Sequence, residues 1–199
     1  MEEIKVMAKP EWVSWDAIHE LLLAAHKKNI KKGIVKGNTI PEGTDLEKKL
    51  GDKGKCFVAF CGDKLIGTAT ITFLTGKKWF NKDKLVAYSR WSGILPKYQG
   101  LGIQDDINVL RDKYIIECGS DIIEASTAEN NKTVRLKTAR DGYINVAYST
   151  SASSGHYSVV TVKWLNGCPY SKLYCKLRFL MSKYYIKMRY KPGGKKRLI

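Results

Sequence analysis

Three β-rich segments follow one another between residues 55 and 95, and a pair of glycines then leads into a helix-like segment. The segments KCFVAF, KLIGTATITFL and KLVAYSRWSGIL are dominated by β-branched and aromatic residues, with Gly-Asp as a turn signal between the first two. Pro96 ends the third segment, because proline cannot donate to a strand ladder. We therefore expect a sheet whose third segment passes directly into a glycine turn and a helix.

Helical patterns lie before and after these strands. VSWDAIHELLLAAHKKNIKKG has apolar residues at helical spacing, Ser14 as an N-cap and Gly33 as a terminator, and TDLEKKLGDKG is a second, short helix. The helix IQDDINVLRDKYIIECG is followed by the strand DIIEASTA, the short helix NNKTVRLKTARDG and two closing strands, YINVAYSTS and HYSVVTVKWL, around an SSG turn. This alternation predicts an α/β fold in which helices cover a mixed sheet.

The glycine turn, LPKYQGLGIQDDINVL, has features of a phosphate-binding site. A helix start presents unpaired backbone N–H groups and the positive end of the helix dipole, and phosphates bind there when side chains leave room. Gly100 and Gly102 remove Cβ atoms where a pyrophosphate would approach the amides of Leu101, Gly102 and Ile103. The side chain of Gln99 adds a further donor.

Other features of the turn keep an ordinary strand-to-helix connection as the alternative. Asp105 and Asp106 fall in the first helical turn, where carboxylates favour the helix but oppose a bound anion. The stretch has neither the Gly-Lys-Ser/Thr ending of a P-loop nor the G-x-G-x-x-G pattern of dinucleotide-binding folds. A phosphate site therefore needs support from the residues around the turn.

Charge is distributed unevenly along the chain. The formal net charge is +16, and residues 151–199 contain eleven Lys or Arg and no Asp or Glu. Such a field attracts nucleic acid, anionic membrane surfaces, acidic partners or a ligand with several phosphates, and it also keeps a protein soluble. No apolar run reaches the roughly 20 residues of a membrane span, and the amino terminus lacks the apolar core of a secretory signal, so a cytoplasmic location is expected.

The five cysteines form no recognisable metal or disulfide pattern. Their number is odd, no pair has C-x-x-C spacing, and the three histidines do not combine with them at metal-ligand spacing. We expect free thiols, as in a reducing compartment, and no metal site. The sequence leaves the oligomeric state open, with a homodimer among the alternatives.

The carboxy-terminal segment, SKLYCKLRFLMSKYYIKMRYKPGGKKRLI, is predicted to be a basic amphipathic helix. On a helical wheel, lysines share one face and an apolar stripe lies beside it; the stripe consists of Leu173, Leu177, Leu180, Met181, Tyr184 and Met188. Packing of this stripe on the domain, with solvated lysines, is the favoured interpretation. Binding to an anionic membrane surface or, through the interleaved tyrosines, to nucleic acid is the alternative.

The glycine turn resembles the hallmark of the GNAT superfamily of acetyl-CoA-dependent N-acetyltransferases. That family has Arg or Gln, any two residues, Gly, any residue, and Gly or Ala where its fourth strand meets its third helix. KYQGLG fills both small positions, with Lys97 in the first place. The shifted register QGLGIQ restores Gln99 at the front but puts Gln104 at a small position.

A second motif of the family lies further along the chain. The pattern N-x-x-A-x-x-x-Y-x-x-x-G-(F/Y) is matched by NKTVRLKTARDGY at Asn131, Gly142 and Tyr143, with Val and Thr at its alanine and tyrosine positions. The order of elements is also similar to that of the family. The resemblance implies an acetyltransferase domain with a mostly antiparallel sheet over residues 1–165. The predicted basic, helical extension over residues 166–199 lies outside the resemblance.

The resemblance also implies acetyl-CoA as the co-substrate and a set of residues that bind it. Backbone amides at the end of a strand that splays from its neighbour would hydrogen-bond the thioester carbonyl and the pantetheine arm, and those of the glycine turn would hold the pyrophosphate. Asn131 would contact the pantetheine arm or position the following helix, with a simple helix cap as the alternative. The implied set is Ile94, Leu95, Gln99, Gly100, Leu101, Gly102, Ile103, Gln104 and Asn131.

The catalytic groups follow the family pattern less closely. Several family members place a glutamate on the fourth strand; KLVAYSRWSGIL has none, so Glu124 is the candidate general base, with an exposed sheet-edge position as the favoured alternative. Thr138 replaces the tyrosine that often protonates the leaving thiolate, which leaves Tyr143, Tyr148 or no acid. The expected reaction is direct acetyl transfer to a primary amine. The alternative is a catalytically silent module that binds CoA or nucleic acid through its basic surface.

Overall fold

The computed structural model describes residues 2–35, 37–150 and 156–190. This part of the chain contains seven strands and five α-helices. The strands are β1 (Ile4–Ala8), β2 (Lys55–Cys61), β3 (Lys64–Thr75), β4 (Leu85–Ile94), β5 (Ile122–Ala128), β6 (Ile144–Thr150) and β7 (Tyr157–Trp164). The helices are α1 (Trp15–Lys31), α2 (Gly43–Leu50), α3 (Ile103–Glu117), α4 (Lys132–Arg140) and α5 (Lys172–Arg189).

The strands form one sheet in the order β1-β2-β3-β4-β5-β7-β6. All neighbours are antiparallel except β4 and β5, which are parallel. A parallel pair needs a crossover connection, and the glycine turn with α3 provides it. The predicted α/β fold with a mixed, mostly antiparallel sheet is thereby confirmed. The SSG turn predicted between the closing strands lies outside the described residues.

Helices cover both faces of the sheet. On one face, Ile18 and Leu22 of α1 and Leu46 of α2 pack against β2 around Val58. On the other face, α3 buries an apolar stripe that includes Ile107 against β2 to β5. A third cluster, consisting of Phe80, Val86, Ile122, Val146, Val160, Val162 and Trp164, covers the carboxy-terminal half of the sheet on the α1 side. The parallel pair in the middle of the sheet is therefore enclosed from both faces.

Two elements differ from the sequence prediction. The edge strand β1 was not predicted, because its five residues alternate only weakly and gain their strand partners from β2, more than 40 residues away. The helix α5 forms with Ser171 as its N-cap, which accepts a hydrogen bond from the backbone of Tyr174 at 3.1 Å. Its predicted apolar stripe, however, faces solvent. The interpretation that this stripe packs on the domain is wrong, because α5 contacts the sheet through a different face.

Candidate functional site

The central strands β4 and β5 separate soon after they meet. They pair only at Ala87 with Ile123 and at Tyr88 with Glu124. Beyond Tyr88, β4 stays paired with β3 while β5 stays paired with β7. One edge of β4 is therefore left without a strand partner in the middle of the sheet, and we refer to this opening as the β4–β5 gap.

A bulge in β4 coincides with the start of this gap. The register between β3 and β4 shifts between Thr68 and Thr70, and Trp91 in the bulge has a φ of 35°. A positive φ is costly for a large side chain, so the surroundings must hold it. The hydroxyl of Thr70 donates to the carbonyl of Arg90 at 2.9 Å, which ties one side of the bulge to β3.

After the bulge, the direction of each backbone amide can be assigned. The amide of Leu95 donates to the carbonyl of Ile66 on β3 at 2.9 Å, so it points away from the gap. The prediction that Leu95 offers its amide to a thioester is therefore wrong. Amides alternate along a strand, so that of Ile94 faces the gap. Its carbonyl accepts from the side chain of Gln99 at 2.9 Å, so Gln99 closes the turn onto the strand.

The glycine turn has the open geometry that the sequence predicted. Gly100 and Gly102 have φ values of 85° and 80°, and no heavy atom lies within 4 Å of a Cβ built on either residue. Gly102 is the N-cap of α3 and offers no side chain to it. The amides of Ile103 and Gln104 open the helix and have no acceptor within it, while Asp105 and Asp106 donate to the carbonyl of Gly102.

Basic residues of α4 lie beside this turn and were not identified from the sequence. The carboxylate of Asp105 is 3.3 Å from Lys137 and 3.5 Å from Arg140. These cations offset the negative charge of Asp105, one of the two carboxylates that argued against an anion at the turn. The sequence signal was the pair of basic residues in the last turn of α4, which reaches the glycine turn only through the tertiary fold.

Asn131 begins α4 and caps it. Its side-chain oxygen accepts a hydrogen bond from the amide of Val134 at 3.3 Å. The helix-cap alternative is thus realised through the oxygen of this side chain. The cap does not use the amide nitrogen of the same side chain.

Glu124 lies at the last paired position before the gap and is buried. One carboxylate oxygen forms an ion pair with the ammonium of Lys78, and the other accepts from the side-chain amide of Asn81 at 3.0 Å. Burial and, to a lesser extent, the charge of Glu124 raise the pKa of Tyr88 beside it. The alternative of an exposed edge position is wrong, because β5 is an internal strand.

Solved acetyltransferases share this architecture at low sequence identity. An acetyltransferase from Streptococcus agalactiae 2603 matches with a TM-score of 0.62 and 15% identity over 81% of this chain and 98% of that one. A GNAT family acetyltransferase from Elizabethkingia anophelis with acetyl-CoA bound matches with a TM-score of 0.59 and 11% identity over 83% and 100% of the two chains. The fold is that of the GNAT acetyltransferases.

A third match is the Bacillus subtilis acetyltransferase in complex with CoA, with a TM-score of 0.58 and 14% identity over 82% of this chain and 99% of that one. No family model and no curated protein matches the sequence. The GNAT fold of this chain is therefore shown by three-dimensional similarity.

Within this GNAT fold, the two tyrosines considered as acids lie in packed surroundings. Tyr143 is buried in the core beneath α3, and its hydroxyl accepts from the guanidinium of the buried Arg111 at 3.2 Å. Burial raises the pKa of Tyr143. Burial and the carboxylate of Glu129 raise the pKa of Tyr148, which packs against α5. Both hydroxyls therefore stay protonated in packed surroundings.

His26 of α1 is a polar group at the β4 bulge that sequence reasoning missed. Its Nε2 donates to the carbonyl of Ser92 at 3.0 Å, and its Nδ1 is buried without a hydrogen-bond partner among the described residues. Gly93 permits this approach of α1, since a Cβ there would lie 2.8 Å from that of Ala25. Burial lowers the pKa of His26, so the neutral imidazole with a basic Nδ1 is favoured.

We expect this lowered pKa to make the stability of the protein depend on pH. The unfolded chain binds a proton at His26 below its ordinary pKa of 6.5, whereas the folded chain resists it. The free energy of unfolding should therefore fall as the pH drops below 6.5. Urea titrations at several pH values measure this slope, and it should be shallower in His26→Gln. An equal slope in the variant would contradict the assignment.

Neither a metal-holding cluster nor a membrane-spanning helix is found among the residues that the structure describes. Among them, no group of three or more His, Cys, Asp or Glu side chains is arranged to hold a metal ion. The helices that the structure describes are all too short or too polar to cross a bilayer.

Proposed function

We propose that this protein is an N-acetyltransferase that moves an acetyl group from acetyl-CoA to a primary amine by direct transfer. The observation that carries the proposal is the β4–β5 gap, which leads directly into an open glycine turn and the start of α3. Two structures of the same fold have acetyl-CoA or CoA bound, and this supports acetyl-CoA as the substrate.

The backbone of the glycine turn is the proposed binding site for the pyrophosphate. The amides of Leu101 to Gln104 would donate to phosphate oxygens at the positive end of α3, and Lys137 and Arg140 would add positive charge from α4. The amide of Ile94 would hydrogen-bond the thioester carbonyl, where negative charge develops during acyl transfer. The side-chain nitrogen of Asn131 would donate to the pantetheine arm.

Glu124 is the proposed general base. Glu124 is the residue of β5 at the apex of the gap, its carboxylate is buried, and the side chain of Lys78 that pairs with it is 43% exposed. In this proposal, the ammonium of Lys78 occupies the position beside the carboxylate that the amine of an acceptor would take. The acceptor can replace it because the exposed side chain of Lys78 can move into solvent. The amine nitrogen would then attack the thioester carbon, lose a proton to the carboxylate directly or through water, and expel the CoA thiolate.

His26 is the second candidate for the base, on the evidence of its neutral imidazole and its unpartnered Nδ1 beside the bulge. No tyrosine is needed as an acid in this scheme, because a thiolate is a good leaving group and can take its proton from solvent. Tyr143 is therefore reassigned to a structural role, on account of its buried contact with Arg111.

Calorimetric titration with acetyl-CoA followed by a CoA-release assay tests the proposal. The acceptors to be compared are small alkylamines, free amino acids, peptide amino termini and lysine-containing peptides. We expect binding of acetyl-CoA and amine-dependent release of CoA. Binding without turnover on any class would favour the silent module, and no binding would overturn the proposal. Salt-sensitive binding of nonspecific RNA or DNA would add support to the module that binds nucleic acid.

A further inference from the structure

The helix α5 is anchored on the sheet by the face that contains Cys175, Phe179 and Ser182, and side chains on both flanks of this face make further contacts. Cys175 is buried, and the ring of Phe179 packs edge-on against Tyr148 of β6. The hydroxyl of Ser182 accepts from the amide of Tyr148 at 2.9 Å and donates to its carbonyl at 3.1 Å. This face fixes the helix on the sheet and determines which side chains point outward.

The opposite face of α5 is apolar and exposed. At about 100° per residue, its members form a continuous arc of about 140° without a charged residue. They are the exposed residues Leu173, Tyr174, Leu177, Leu180, Met181, Tyr184, Tyr185 and Met188. Tyr174 lies at one edge of this arc, where its ring also stacks on Tyr170. Single exposed apolar side chains are ordinary, but a contiguous set of this size marks an interaction surface. We call it the α5 apolar face.

Cations border this face on both sides. Lys172 and Lys176 lie along one border and make no ion pair within the described residues, whereas Arg178 and Arg189 lie along the other. Arg178 stacks on the ring of Trp79 at 5.0 Å, which directs its charge along the surface. No acidic residue occurs anywhere from residue 151 to residue 199. The partner of this face must therefore be apolar at its centre and negative at its margins.

A second copy of the chain does not meet this requirement. If two α5 apolar faces met, the cationic borders of one helix would lie against those of the other in either orientation, and the carboxylate of Glu129 at one border is already shared by Lys183 and Lys187. The residues after Tyr190 carry four further Lys or Arg and no acid, so they are repelled in the same way. Nucleic acid could bind the cations and stack bases on the tyrosines. The leucine and methionine side chains that make up most of the face, however, offer its phosphates no donor.

We propose that the α5 apolar face binds the surface of a lipid bilayer that contains anionic lipids. Leucine, methionine and tyrosine side chains would enter the boundary between headgroups and acyl chains, with α5 parallel to the membrane plane. The bordering lysines and arginines would reach the anionic headgroups, since their long stems can lie along apolar surface while the charges stay in water. This binding does not depend on acetyl transfer, and it involves no membrane span.

Sedimentation of the full chain with vesicles tests this inference. Vesicles of phosphatidylcholine with about one third phosphatidylserine should bind the protein, and pure phosphatidylcholine vesicles should bind it at least about tenfold more weakly. The double variant Leu177→Glu with Tyr184→Glu should lower binding by at least about tenfold, because two charges enter the apolar boundary. The matched control is Val109→Glu with Ile116→Glu, which changes two exposed residues of α3 at the same spacing and should bind as the wild type does.

Three results would overturn the inference. One is equal vesicle binding by the α5 and α3 double variants while both remain folded by circular dichroism. Another is a wild type that does not bind vesicles but binds single-stranded RNA through the residues of the α5 apolar face. The third is a wild-type dimer in sedimentation velocity that Leu177→Glu with Tyr184→Glu converts to a monomer. The charge contribution is tested by Lys172→Glu with Lys176→Glu, which should weaken binding to the anionic vesicles alone.

Discussion

Replacement of Gly102 by glutamate is expected to weaken acetyl-CoA binding by at least about 100-fold, because a carboxylate near a pyrophosphate costs several kcal/mol even at a partly solvated site. The space that a Cβ would occupy at Gly102 is open, so the variant can fold. Its φ of 80° costs an L-residue about 1–2 kcal/mol of stability. A negative residue at a helix start partly offsets this cost. Isothermal titration calorimetry measures the affinity.

Gly119→Glu is the matched control for this variant. Gly119 follows the same helix at its other end, has a φ of 82°, and also has open space around a built Cβ. It therefore carries the same backbone strain and the same added charge, away from the glycine turn. We expect the control to bind acetyl-CoA as the wild type does. Equal losses in the two variants, or no loss in Gly102→Glu, would show that the turn does not hold the pyrophosphate.

Replacement of Glu124 by glutamine is expected to lower kcat by about 100-fold or more while acetyl-CoA affinity stays unchanged, as for the loss of a general base. Glutamine has the same shape, and its oxygen can still accept from Asn81, so the packing of β5 is retained. Lys78 can move into solvent when its ion pair is lost, since its side chain is 43% exposed. The measurement is CoA release with the acceptor class found in the amine comparison.

Glu129→Gln is the control for the loss of an ion-paired carboxylate. Glu129 follows the same strand and pairs with Lys183 at 3.3 Å and Lys187 at 3.4 Å, but it contacts α5 instead of the gap. It should leave kcat unchanged. The imidazole is the base if Glu124→Gln keeps full activity while His26→Gln has a much lower kcat. In that case the residual activity of His26→Gln should no longer fall at acidic pH as that of the wild type does. If both variants keep full activity, deprotonation of the amine occurs without either group.

Much of the local structure could be predicted because its determinants lie close together in the sequence. Helix α1 runs between Ser14 as its cap and a terminating glycine, and the glycine turn has the positive φ values that only glycine adopts easily. The strands β2 to β5 follow the apolar and β-branched runs that indicated them. Strand β1 was missed because a five-residue edge strand depends on its neighbour more than on its own composition.

The candidate site required distances that the sequence does not encode locally. Lys78 and Asn81 precede Glu124 by more than 40 residues, and only the sheet brings the β3–β4 connection over that carboxylate. His26 had no distinguishing neighbours in the sequence, and it became a candidate only where α1 crosses the β4 bulge. A one-residue change in strand register would turn the side chains of a strand to the opposite face of the sheet. The position of Glu124 therefore depends on strand pairing, which the residue pattern alone does not give.

The sequence by itself determined which segments are helices or strands, apart from β1, and that a glycine turn opens α3, because backbone propensities and capping act over a few residues. The tertiary structure decided which amide faces the β4–β5 gap, that Glu124 is buried against Lys78, and which face of α5 is exposed. Such choices depend on strand register and on packing between distant segments. An amphipathic helix can bury either of two neighbouring faces, and here the contact of Phe179 and Ser182 with β6 left the apolar face outside.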